Sequence, residues 1–275
     1  MDDAVHAGPR VVRVRVATWN INSVRSRIDR VVAWIERSDV DVVALQETKS
    51  RDEQFPYDRF ADLGYEVAHH GHSQWNGVAI ASRVGLADVT TGFPGQPLWG
   101  EPLADEARAL GATCGGVRFW SVYVPHGREV GDPHYAYKLD WLSCLRDAGQ
   151  AWLETDADRQ IALMGDWNIA PRDDDVWDMA AFDGATHVSQ PERDAFAAFE
   201  PTGFTDVVRR YAPGPGVYTY WDYQRLCFAK KRGMRLDFVL ASPALAARVT
   251  GALIDREERK GNRPSDHVPV VVELA

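Results

Sequence analysis

The apolar residues of this chain fall into short β-branched runs at residues 11–18, 40–45, 77–81, 117–124, 161–164, 236–240 and 268–274. Runs of this length, bounded by turn formers, predict strands with at least one buried face. Helical spacing intervenes. Within residues 27–37, Ile28, Val31, Val32 and Ile35 share a face, and within 137–153 Leu139, Leu142, Leu145 and Trp152 recur at the same period. The strands occupy both halves of the chain, and no Gly/Ser/Pro linker, low-complexity block or short repeat divides it. The pattern predicts one α/β domain over residues 1–275, two packed sheets with helices outside, and a flexible tail at 1–10.

Several of these runs end in polar residues that a core would not choose: Trp19-Asn20, Gln46-Glu47, Tyr123, Asp166-Trp167-Asn168 and Asp266-His267. Groups at strand ends are aimed by a rigid sheet into a shared crevice, where catalysis is commonly found. Each has a plainer reading. Asn20 is a turn former, and Glu47 can pair with Lys49 as readily as it can bind a metal. Asp166 and Asn168 follow an apolar strand and Gly165, at alternating positions expected to point the same way. They can hold a water, the carboxylate taking its proton and the carboxamide orienting it, or they can form an Asx-turn. His267 follows an acid and has Asp237 as an orienting partner, although a lone His is more often structural. The full set is oxygen-rich with one imidazole, which suits Mg²⁺ or Mn²⁺ and not a thiolate-loving metal. Such a set serves phosphodiester hydrolysis, where negative charge grows on phosphoryl oxygens.

Composition narrows the classes further. A formal net charge of −9 argues against a sequence-independent DNA binder, but a site holding a divalent cation must concentrate carboxylates, and the ion reverses the local sign. Cys114, Cys144 and Cys227 lack CxxC or Cys/His spacing, so they are read as thiols in a reducing compartment. The N-terminus has no apolar signal region and no stretch has membrane-spanning length, so a cytoplasmic protein is expected.

The blocks TWNIN, QETK, NGVAIASR, VYVPHG, GDWNIA, YTYWDY, RLDFVLAS and PSDHVPV, in order across nearly the whole chain, resemble those of the exonuclease III family of AP endonucleases. The resemblance implies a four-layer α/β sandwich, two mixed β-sheets flanked by helices, of the deoxyribonuclease I-like kind. It implies Mg²⁺, with Mn²⁺ as a substitute, held by Glu47 with Asn20 and Asp266 nearby. By the same resemblance Asp166 matches the residue that activates or positions the attacking water, with Asn168 as its companion. His267 matches the residue that contacts and polarises the phosphate, Asp237 the acid that orients His267, and Tyr123 a phosphate-side hydroxyl acting as proton donor or phenolate. In other descriptions of such sites Asp166, Asn168 and His267 also become ligands.

The implied activity is incision 5′ to abasic sites in double-stranded DNA, with removal of nucleotides or blocking groups from 3′ ends, by a monomer. Tyr220, Met234 and Leu236 match positions lining a slot for a base-free sugar, or are ordinary core, and Trp221 is expected among the substrate-binding residues. Arg25, Trp75, Arg128, Gln224, Arg225 and the cluster Lys230-Lys231-Arg232 lie near the matched loops, where together they can grip phosphates or wedge the minor groove, although each alone reads as a solvated surface residue. In residues 98–116 only Arg108 is given a role, on the DNA side. His126, Asn76 and Ser23 depart from the residues frequent in the family. Two rivals remain open at this point: a phosphatase or phosphodiesterase of the same superfamily acting on lipid or inositol phosphates, and a catalytically silent DNA-binding scaffold.

Overall fold

The structure, a computed structural model, describes residues 13–275. The tail expected at 1–10 and the first two residues of the 11–18 run lie outside the described residues. Among the described residues twelve strands form two six-stranded sheets. The first has the order β11 (Val249–Ile254), β12 (Val270–Leu274), β1 (Val14–Asn20), β2 (Val42–Gln46), β4 (Val78–Ser82) and β3 (Glu66–His70). The second runs β5 (Ala87–Thr91), β6 (Ala109–Cys114), β7 (Val117–Tyr123), β8 (Ile161–Asp166), β10 (Asp237–Ala241) and β9 (Thr205–Asp206). Both are mixed, because β1 pairs parallel with β2 and β7 parallel with β8 while their other neighbours run antiparallel.

Alternation along each strand builds the layers. Val16, Val42, Ala44 and Ile80 of the first sheet meet Leu110, Phe119, Met164 and Val239 of the second in a core between the sheets. The intervening residues face outward under helices. Ala17, Trp19 and Val43 pack beneath α1 (Val24–Ser38) and α2 (Tyr57–Ala61), through Val31, Trp34, Ile35 and Phe60. On the far side Trp120, Leu163 and Leu240 lie beneath α3 (Pro133–Thr155), with Phe238 against Phe196 of α4 (Gln190–Ala197). The result is the expected helix–sheet–sheet–helix sandwich. Short α5 (Pro243–Ala246) links β10 to β11. The long helix starts cleanly because the Asp132 side chain accepts from the His134 amide and Pro133 occupies the first turn. Burying a side chain as large as Trp141 or Trp34 contributes about 3 kcal/mol, and both are fully enclosed.

The strands not evident in the sequence are β3, β5, β6, β9 and β11. Four of these are sheet edges. An edge strand has one neighbour and often one wet face, so its periodicity is diluted; β5 is exposed at every position.

Register then decides where chemistry can occur. Tyr123 on β7 and Asp237 on β10 both lie level with Asp166 on β8, and Asn20 on β1 lies level with Gln46, the residue before Glu47. Both sheets therefore end together, in one crevice.

Candidate active site

Asn20 bridges the two sheets. Its Nδ2 donates to Glu47 Oε1 and to Asp166 Oδ2, both at 2.9 Å, joining residues 146 positions apart. Asp166 Oδ2 also lies 3.6 Å from His267 Nε2, and His267 Nδ1 faces Asp237 Oδ2 at 2.8 Å. The loop before β12 is tied to the same strand end, since Ser265 Oγ donates to the Asn20 carbonyl and accepts from the His267 amide. Glu47 Oε2 is paired with Lys49 at 2.7 Å. Asp266 stands one step further out, where its Oδ1 accepts from Asn22 Nδ2 at 3.0 Å.

The Asp166-Trp167-Asn168 segment combines the two readings the sequence allowed. Asp166 Oδ1 accepts from the Asn168 amide at 2.9 Å, an Asx-turn, while Oδ2 faces Asn20 and His267. Asn168 has φ 50°, so the two side chains are not related by strand alternation as expected. Its Nδ2 donates to the Val124 carbonyl, leaving its carbonyl oxygen to accept from a ligand. Glu47, Lys49 and Asn22 also have positive φ, at 51°, 50° and 44°. Left-handed backbone at non-glycine residues is held only where surroundings over-determine it, and these four are among the positions in the chain that adopt it.

Burial and charge separate the two carboxylates. Burial pushes both upward, but at Glu47 the charge and hydrogen bonds of Lys49 and Asn20 outweigh it and hold the group below its usual range. At Asp166 burial prevails over the attraction of His267, and Asp237 adds to it, so the carboxyl is raised. His267 would lose its proton on burial, yet Asp237 and Asp166 raise it to about 10. One acid is thus kept ionised, one kept basic and the imidazole cationic. Burial and the charge of Glu47 push the Tyr123 hydroxyl far up, which favours the proton donor over the phenolate.

Behind the crevice lies a pair that sequence reading missed. Lys138 of α3 and Glu192 of α4 are completely enclosed. The Lys138 ammonium donates to Glu192, to the Asn168 carbonyl at 2.7 Å and to the His126 carbonyl at 3.2 Å, so it ties the two loops that flank Asp166. A lysine in an amphipathic helix reads as solvated, and only the helix–helix packing shows otherwise.

The sequence profile described as the endonuclease/exonuclease/phosphatase family matches residues 17–267. The chain belongs to this family. Exodeoxyribonuclease III of Haemophilus influenzae is 30% identical over 95% of this chain and 100% of its own length. An AP endonuclease from Archaeoglobus fulgidus superposes with a TM-score of 0.87 at 34% identity, covering 94% of this chain and 98% of the other. A 3′ phosphatase from Neisseria, solved bound to product DNA hairpin, gives 0.89 at 33% identity, covering 95% and 99%. This family member is therefore of the exonuclease III type.

The family's divalent metal fits the donors present. Glu47 is ionised and already neutralised by a cation, the Lys49 ammonium, and oxygen donors dominate the crevice. A second grouping, Asp166, Asp237 and His267, brings one ligand atom from each within 4.8 Å, with an Asp237 oxygen that has no hydrogen-bond partner.

The remaining residues expected at the site of this exonuclease III-type protein divide. Tyr220, whose ring is 4.9 Å from that of His267, lines a cavity of about 500 Å³ with Met234, Gln224, Arg225 and Arg232. Its other walls include Trp177, Phe182, His126 and His187, none anticipated as lining. His187 is buried and held well below its usual range by burial and by Lys138, so it presents a neutral ring. Trp221 and Leu236 need correction: at 1% and 2% exposure they back the wall instead of lining it, Trp221 packed with Tyr218 and Val268. Arg25 and the exposed Trp75 share a shallow depression with Arg51 and Gln54. Arg128 is exposed beside Trp99. Arg108 is not a surface residue. It is buried, ion-paired with Glu106 at 2.7 Å, and lies 4.9 Å over the Tyr123 ring, so it supports the phenol from within.

Proposed function

We propose that this chain is a Mg²⁺-dependent DNA-repair nuclease that incises 5′ to abasic sites and removes nucleotides and blocking groups from 3′ ends. The observation that carries the reading is the convergence of Asp166, His267 and Asn20 next to a cavity walled by Met234 and by Tyr220, whose ring contacts that of His267. A bare phosphodiester needs only the polar crevice. A neighbouring partly apolar cavity suits a sugar that has lost its base.

The roles follow from the electrostatics. Asp166, raised by burial, takes the proton of a water whose position the Asn168 side-chain carbonyl helps set. His267, kept cationic by Asp237, faces a phosphoryl oxygen. Tyr123 keeps its proton and donates on the phosphate side. Glu47, with Asn20 and Asp266 near, would hold Mg²⁺, which when bound would supply Lewis-acid stabilisation of the growing charge. Arg25, Arg128, Arg225 and Arg232 give an acidic chain cationic contacts for double-stranded DNA around that crevice. The protein is read as a monomer of the cytoplasm, in keeping with its free cysteines. Among the described residues no helix is long and apolar enough to cross a membrane.

The test is cleavage of duplexes bearing an abasic site, a recessed 3′ end or a 3′-phosphate, beside sphingomyelin and an inositol polyphosphate, with Mg²⁺ and with EDTA. Metal-dependent cutting of the DNA substrates is expected. Phosphate released only from lipid or inositol, or DNA bound without turnover, would overturn the proposal.

A further inference from the structure

Away from the crevice, β3 ends at His70 and the chain passes through Gly71 to His72, where both imidazoles meet Asp105 in the connection between β5 and β6. His70 Nε2 lies 3.3 Å and His72 Nε2 4.0 Å from the same Asp105 oxygen, Oδ2. The His70 side chain is 7% exposed, and its Nε2 has no hydrogen-bond partner despite that proximity. A buried imidazole nitrogen that neither donates nor accepts is unfavourable unless something else engages it. The two rings stand nearly perpendicular, 85° apart, with centroids separated by 4.7 Å.

The surroundings leave these groups free and aimed at one another. Adjacent His69 is committed, its Nδ1 to Asp52 and its Nε2 to Thr48. Asp105 Oδ1 accepts from Gln96 Nε2 at 2.7 Å, which orients the carboxylate so that Oδ2 faces the histidines. An outer hydrogen bond of this kind is what fixes a metal-ligating carboxylate. Glu106, next in sequence, is taken by Asn76 and Arg108.

We propose that His70, His72 and Asp105 form a second metal site, distinct from the catalytic crevice, that takes a transition-metal ion of the Zn²⁺ class with water completing the shell. Two imidazoles and one carboxylate suit Zn²⁺ and disfavour Mg²⁺, which prefers oxygen. Ligands of a tetrahedral Zn²⁺ are separated by about 3.3 Å, given bonds of about 2.0–2.1 Å. The His70–Asp105 distance of 3.3 Å already meets that spacing. His72, 55% exposed, has the freedom to close the remaining gap. An ion here ties the end of β3 to the β5–β6 connection, and that connection also holds Glu106, the partner of Arg108 beneath Tyr123. The role is structural and independent of the DNA reading.

Metal-stripped wild type, His72→Asn and Asp105→Asn are equilibrated with ZnCl₂ in excess Mg²⁺, and bound zinc is counted by elemental mass spectrometry at several free-zinc concentrations. Zinc captured by the catalytic crevice is common to all three, so the difference isolates the second site. Each variant is expected to hold one Zn²⁺ fewer than wild type, or to need at least about tenfold more free zinc for it. Zinc should also raise the melting temperature of wild type more than that of either variant, with Mg²⁺-supported activity unchanged by the substitutions. Equal zinc content and an equal zinc-induced thermal shift in all three proteins overturn the proposal. His72 is exposed, so its replacement leaves the core intact, and Asp105→Asn keeps an acceptor for Gln96.

Discussion

Replacing Glu192 by Gln removes the anion from an ion pair in which both side chains are completely enclosed. Lys138 is then left facing the carbonyls of Asn168 and His126 with no compensating charge. Breaking one half of a buried pair costs about 3–5 kcal/mol. In a domain of this size, where about 1 kcal/mol moves the melting temperature by about 2–4 °C, the drop should be roughly 6–20 °C. The converse change, Lys138→Met, is expected to be milder. Glu192 would keep its hydrogen bonds from Thr186 Oγ1, the His187 amide, and the Ser189 amide and hydroxyl. The double variant should recover part of the loss, because neither buried charge is then unpaired.

The pH dependence supplies an independent sign. Burial already lowers Lys138, against the pull of Glu192. Without Glu192 the folded chain binds this proton still less tightly than the unfolded chain, so the variant gains stability relative to wild type as pH rises toward the unfolded lysine value of about 10.4. Urea unfolding followed by tryptophan fluorescence across pH measures both effects. A destabilisation below about 1 kcal/mol with a pH profile parallel to wild type would refute the account. Turnover should also fall in Lys138→Met, since the Asn168 loop loses its anchor, and unchanged kcat would show that the pair is structural only.

Asp166→Asn and Glu47→Gln should each lower kcat by about 10²–10³ with folding retained, measured on an abasic-site duplex, and EDTA should abolish wild-type cleavage. Asp237→Asn removes the largest influence raising His267. The wild-type histidine's contribution to stability is fully present below about 6.5 and lost as pH rises through about 10. The alkaline limbs of activity and of stability should therefore both move to lower pH in the variant, and superimposable limbs would contradict this role. Gly165→Ala would place a Cβ 1.8 Å from the Val122 carbonyl oxygen, a backbone atom that cannot swing away. A loss above about 3 kcal/mol, or failure to fold, is expected by thermal melting.

The polar strand ends and the order of the blocks were legible along the chain. An apolar run such as 161–164 announces a strand by local periodicity, and Asp166 announces itself by following one where a core residue belongs. The same reading reaches Glu47, Asn168, Asp237 and His267, because each adjoins a run buried by its own pattern. It fails at Arg108 and Trp221, whose types suggest a surface or a ligand wall but whose neighbours enclose them.

Local patterning along the chain thus establishes which strands can bury a face and which chemical types wait at their ends. The folded arrangement is what brings Asn20 to hydrogen-bond Asp166 across 146 residues, seals Lys138 against Glu192, and sets His70 and His72 against Asp105. The difference is one of range. Periodicity records whether a side chain leaves water, a local property of a strand or helix. Which groups then share a crevice depends on sheet order and register, set by the packing of the two sheets as a whole.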